Sequence, residues 1–140
     1  MNKSKIFSIL IAIFLLSLGF VGCDKMQITL PSEADLESII LSESTEGNNV
    51  QITITGNEEI KSIIDNIKLN SKKINTESVN DTPTNVDYYI KLEFYHSTDG
   101  SSVAYVYKTK DGYYIEQPYI GIWEITQKSY DNTDKLLNAK

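Results

Sequence analysis

Arginine is absent from this 140-residue chain, and cysteine and histidine occur once each, at Cys23 and His96. Each scarcity closes a class of function. A nucleic-acid binder needs a basic patch to neutralise phosphates. Here 13 lysines stand against 19 acidic residues, a net charge of −6, so no nucleic-acid partner is expected. Lys72 and Lys73 form the only adjacent basic pair and read as solvated surface. One cysteine makes no internal disulfide, and one histidine cannot complete a zinc site. No metal and no cofactor are therefore assigned. Internal repeats and long low-complexity tracts are also missing.

What is present begins at the start of the chain, with MNKSKIFSILIAIFLLSLGFVGC. Lys3 and Lys5 make a short positive region. Ile6 to Val21 is apolar apart from Ser8, Ser17 and Gly19. That run is near the ~15-residue upper limit of a signal core and short of the ~20 residues of a membrane span. Gly22 puts a small residue just before Cys23, as a lipobox requires, while Phe20 stands where leucine is usual. The chemistry needs this order: a thiol accepts a diacylglyceryl group, and a peptidase then cuts before it at an accessible backbone. Residues 1–22 therefore read as a lipoprotein signal peptide, and 23–26 as the lipidated Cys23 with a short tether. Residues 27–140 read as a single α+β domain. An uncleaved helical anchor and free secretion are the competing readings. Two or more acyl chains hold a protein stably where one does not. Charge cannot replace them: loss of Lys3 and Lys5 leaves 11 lysines against 19 acidic residues, a net −8 that anionic headgroups repel.

The domain has length for one core and not two. A first strand is expected at Gln27–Leu30, then a turn over Pro31–Leu36 and a strand over Glu37–Glu43. Turn residues at Thr45–Asn49 lead to Val50–Thr55, where apolar residues alternate with polar ones, the period of a half-buried strand. Asn57 suits a helix N-cap, and Ile60, Ile63, Ile64 and Ile67 follow as one apolar stripe. Lys72–Asn85 reads as a long polar connection. Beyond it, Tyr88, Ile90, Leu92 and Phe94 share one strand face, and Tyr89, Lys91, Glu93 and Tyr95 the other. Asp99-Gly100 and Asp111-Gly112 are hairpin turns between alternating runs, which predicts a three-stranded meander closed by Pro118. Tyr119–Ile125 is expected to fold back over the core with Trp123 as a plug. A weaker helix is expected over Gln127–Leu137. The fold class is thus α+β: an antiparallel sheet, made of a hairpin and a meander, packed against one main helix and a shorter C-terminal helix.

Catalytic chemistry finds little support. His96 sits at a strand end near Ser97, Ser101 and Ser102, with no nucleophile-elbow glycine pattern. Glu77, Asp81 and Asp87 offer oxygen ligands for a cation, but without EF-hand spacing a solvated loop is the better reading. No catalytic residue is assigned, and enzymatic activity is left open with the residues leaning against it. All nine tyrosines lie between Tyr88 and Tyr130. Strand packing accounts for most of them. Tyr89, Tyr95 and Tyr114 share faces with Lys91, Glu93 and Glu116 and form a candidate binding face for a protein, a peptide or a cell-wall polymer.

Three stretches carry a resemblance: ITLPSEADLESI, ESVNDTP and YYIEQPYIGIWEI. Over Ile28 to about Leu137 the chain resembles a family of small Firmicutes lipoproteins, the domain of unknown function numbered 5301. The resemblance implies a lipoprotein on a Gram-positive cell surface and implies no activity, substrate or catalytic residue. The reading is of a domain lipid-anchored to the extracellular face of the cell membrane, a non-catalytic binding module acting close to it. A small cell-envelope hydrolase and a small-ligand carrier are the alternatives.

Overall fold

The computed structural model describes residues 27–44 and 50–139. The expectations for the leader, Cys23, the tether and the 45–49 turn lie outside the described residues. A 3-10 turn at Glu33–Asp35, whose first amides are capped by Ser32, leads into the first strand. The strands are β1 (Leu36–Glu43), β2 (Gln51–Ile54), β3 (Ser71–Lys73), β4 (Tyr89–His96), β5 (Ser101–Lys108), β6 (Tyr113–Gln117) and β7 (Gly121–Ile125). The helices are α1 (Asn57–Leu69), between β2 and β3, and α2 (Gln127–Asn138), after β7. Among the described residues the strands form one seven-stranded sheet in the order β2-β1-β4-β5-β6-β7-β3. Every pairing is antiparallel.

Strand alternation decides which face is the core. Ile39 and Leu41 of β1 stand opposite Phe94 and Leu92 of β4. Ile90 and Leu92 stand opposite Val106 and Ala104 of β5, and Val106 opposite Ile115 of β6. All of these are fully buried or nearly so. The stripe Ile60, Ile63, Ile64 and Ile67 brings α1 onto this inner face. Beside it α2 buries Tyr130, Thr133 and Leu137, with the Tyr130 ring 5.2 Å from that of Tyr113. Asn66 of α1 donates to the Ser129 hydroxyl of α2 at 3.1 Å, so the two helices also share a polar contact.

Four sequence expectations are corrected. Gln27–Leu30 joins no strand ladder; Ile28 and Leu30 are buried, and the Thr29 carbonyl accepts from Gln117 Nε2 at 3.0 Å. Gly56, not Asn57, holds the N-cap of α1, because the Gly56 carbonyl already accepts the Ile60 amide. Ser71–Lys73 is not loop but an edge strand paired with β7. Gly121–Ile125 does not fold over the core; it pairs with β6 and makes the meander four-stranded. Trp123 from this strand is buried in the inner face.

The chain order has a geometric consequence. β2 and β3 lie at opposite edges of the sheet, and α1 crosses the inner face between them. Residues 74–88 must then bring the chain from the β3 edge back to β4 in the middle, and they do so over the other face. We call this connection the strap.

Among the described residues Phe94 is the largest fully buried side chain, and Tyr95, one residue on, is 38% exposed on the opposite face. Phe94→Ala should cost ~3–5 kcal/mol in urea unfolding, whereas Tyr95→Ala should change stability by under ~1 kcal/mol.

Candidate functional site

The outer face is where the tyrosines gather. Register places Tyr89 of β4 opposite Tyr107 of β5, and Tyr107 opposite Tyr114 of β6. The next row runs Lys91, Tyr105, Glu116 and Ile122. Of the candidate face, Tyr89 and Tyr114 therefore lie in one row with Tyr107 between them. Tyr95 stands six residues further along β4, roughly 20 Å away at the rise of a strand. Tyr89 and Tyr114 are half-buried and Tyr95 exposed. Edge-to-face packing on Tyr105 (5.2 Å, 82°) holds Tyr89, and a tilted contact with Tyr107 (5.7 Å, 32°) holds Tyr114. Lys91 bridges to Glu93 at 2.8 Å, and this hydrogen bond holds the Glu93 carboxyl below its ordinary value.

The strap lies across β5, β6 and β7 on this face and buries Glu116, which is only 5% exposed. A carboxylate taken from water must find donors. Ser78 of the strap supplies one, its hydroxyl donating to Glu116 Oε1 at 2.6 Å. The Tyr107 hydroxyl supplies another, donating to Glu116 Oε2 at 3.3 Å. Ser78 Oγ in turn accepts the Tyr119 amide at 3.2 Å, and the Tyr119 hydroxyl donates to Asp81 of the strap at 2.9 Å. Burial and the Glu116 charge push the Tyr107 phenol well above its ordinary range. Burial likewise raises Tyr88, which faces Asp134 of α2 and Glu43 of β1.

Between the strap and the β5–β6 turn opens a groove of ≈ 850 Å³. Tyr107, Tyr114 and Glu116 lie along its floor, and Glu77 and Asp87 of the strap along its wall. Aromatic faces beside carboxylates suit a neutral or amino-bearing ligand with both apolar and hydrogen-bonding groups. Glu77 and Asp87 both line the groove, whereas Asp81 is bonded by Tyr119. Among the described residues no group of three or more His, Cys, Asp and Glu could hold a metal ion. A smaller cleft of ≈ 360 Å³ lies between α1 and α2. His96 Nε2 sits 3.2 Å from Ser102 Oγ, a strand-end pair away from the groove lining.

The Glu116–Ser78 clasp was not foreseen from sequence. Nothing in the polar run NTESVNDTPTN distinguishes Ser78 from its neighbours. The one signal was Glu116 itself, a charged residue within the tyrosine-rich run YYIEQPY. The family model DUF5301, described as "Domain of unknown function (DUF5300)", matches residues 24–124, and the chain belongs to that family. No curated protein and no solved structure matches it.

Ser78→Ala should leave Glu116 Oε1 without its donor, at a cost of ~1–3 kcal/mol. Amide exchange should then speed up across residues 75–87 and stay unchanged in β4 and β5. The raised phenols set a second expectation. The fold favours the neutral form of Tyr107 and Tyr88, so their stabilisation is complete below the unfolded tyrosine pKa of ~10 and is lost above it. The urea midpoint should fall as pH rises past that value, and Tyr107→Phe should lower the neutral-pH midpoint but make the alkaline fall shallower.

Proposed function

We propose that this member of the DUF5301 family is a lipid-anchored module on the outer face of the cell membrane of a Gram-positive bacterium. Cys23 carries the lipid, and the groove under the strap binds a peptide, a protein segment or a cell-wall polymer without chemically altering it. The leader supports the anchoring: a positive start, an apolar core of signal length and a small residue before Cys23. The observation that carries the binding reading is the groove floor, where the Tyr107 and Tyr114 rings lie beside the buried Glu116 carboxylate. Ring faces take up the apolar side of a sugar or side chain, and carboxylates accept its hydroxyl or ammonium protons. The net charge of −8 expected of the mature chain favours neutral or amino-bearing ligands over acidic ones. A small-ligand carrier is the second reading, favoured by the groove volume, which falls within the ~300–1,000 Å³ of small-molecule sites.

Mass spectrometry of the chain from membranes should find a diacylglyceryl thioether on Cys23 with the leader removed, and Cys23→Ser should abolish the lipid mass and leave the leader uncut. Titration of the Cys23→Ser protein with soluble wall-glycan fragments, and then with wall-derived peptides, should shift the amide resonances of Tyr107 and Tyr114 and leave Gln51 unmoved. Tyr114→Ala should weaken that binding about tenfold, or ~1.4 kcal/mol. Shifts spread evenly over the domain would defeat the groove as the binding seat.

A further inference from the structure

We infer that the groove under the strap takes a peptide through one unblocked lysine side chain, whose ammonium pairs with the Glu116 carboxylate. That contact presupposes the binding role proposed for the groove and names its occupant. Glu116 lies on the groove floor and is only 5% exposed. Two hydroxyls donate to it, Ser78 to Oε1 at 2.6 Å and Tyr107 to Oε2 at 3.3 Å. The shorter bond has the ~2.5–2.7 Å length of a hydroxyl on an ionised carboxylate. No cation of the chain accompanies this charge: the ion pairs among the described residues are Lys61–Asp65 and Lys91–Glu93. An ionised carboxylate offers about four acceptor sites, so each oxygen of Glu116 keeps one for a ligand.

A buried charge held by hydroxyls alone still lacks an opposite charge. An ammonium supplies that charge together with N–H donors. The Tyr107 hydroxyl has given its proton to Glu116 and keeps oxygen lone pairs for a further N–H. The surrounding lining favours the same sign. Glu77, Asp87 and Asp111 line the groove with Glu116, against Lys108 and Lys110, four carboxylates to two ammonium groups. Those two lysines stand at the β5–β6 turn. Register sets Glu116 opposite Tyr105, three residues along β5 from Lys108, roughly 10 Å at the rise of a strand.

Steric access chooses a peptide over an amino sugar. So little of Glu116 is open that a ligand must reach it through a narrow gap. A sugar carries its ammonium directly on a ring, whereas lysine carries it at the end of a slender four-carbon stem. The stem has a track to follow. Tyr114 stands two residues before Glu116 on the same face of β6, roughly 7 Å away, and its ring packs 5.7 Å from that of Tyr107. Ile122 stands opposite Glu116 on β7 and lines the groove as well. Methylenes laid along these side chains leave water, and the ring faces attract the ammonium beyond them.

The test uses the full-length chain in nonionic detergent micelles, followed through its amide resonances. The probes are acetyl-Ala-Lys-Ala-amide, the same peptide with its lysine ε-acetylated, and glucosamine. The lysine peptide should shift Tyr107, Tyr114 and Glu116 and bind at least tenfold more tightly than its acetylated form. Glu116→Gln should erase that tenfold difference, while Tyr114→Ala should weaken both peptides. Should Glu116→Gln fail to fold, the two peptides on the unaltered chain decide the matter. Equal affinity of both peptides at these resonances overturns the ammonium contact and leaves the groove standing as a binding seat. Shifts by glucosamine and none by the lysine peptide overturn the peptide as occupant. Silence from all three probes overturns the lysine contact, and silence from wall-glycan fragments and wall-derived peptides as well removes the groove with it.

Discussion

Placing β2 and β3 at opposite edges of one sheet is the constraint from which the rest of this fold follows. The chain must cross from edge to edge and then return to the middle, and only two faces are available. A helix makes the first crossing, because its backbone is satisfied internally and its isoleucine stripe covers the strands. The return runs over the face that is already polar and aromatic, as extended and turning backbone. One crossing thus builds the core and the other builds the groove.

The return is fastened to the sheet by the clasp at Glu116. Burying a carboxylate without a cation beside it is costly unless hydroxyl or amide donors replace water. Ser78 and Tyr107 do so from opposite sides, one from the strap and one from the sheet. The same charge that fastens the strap therefore lies along the floor of the groove. Ser78 also serves the β6–β7 turn by accepting the Tyr119 amide, which joins the strap to that turn.

Strong periodicity was legible in the sequence. The alternation over Tyr88–Tyr95, the isoleucine stripe of α1, the two Asp-Gly turns and the stop at Pro118 all appear in the structure as read. Short or unpatterned elements were not. Three residues of β3 carry no period, and their pairing with β7 is a tertiary choice made by the chain's route. Gly121–Ile125 resembled a buried apolar run, and apolar runs do not declare whether they pair or merely cover. The tyrosines were legible as an outer face, but their grouping was not. Strand order and register decide that Tyr89 and Tyr114 share a row and that Tyr95 stands apart.

The two outermost strands of the sheet are short, β2 with four residues and β3 with three. An open sheet edge is a template on which another copy can add a strand, and the hazard grows with the length and flatness of that edge. Here so few unpaired amides and carbonyls face outward that a second molecule gains little register to lock onto. On the β3 side, Lys72 and Lys73 set like charges against any neighbouring copy that offers the same strand. The sheet thus ends on both sides in an edge trimmed against propagation.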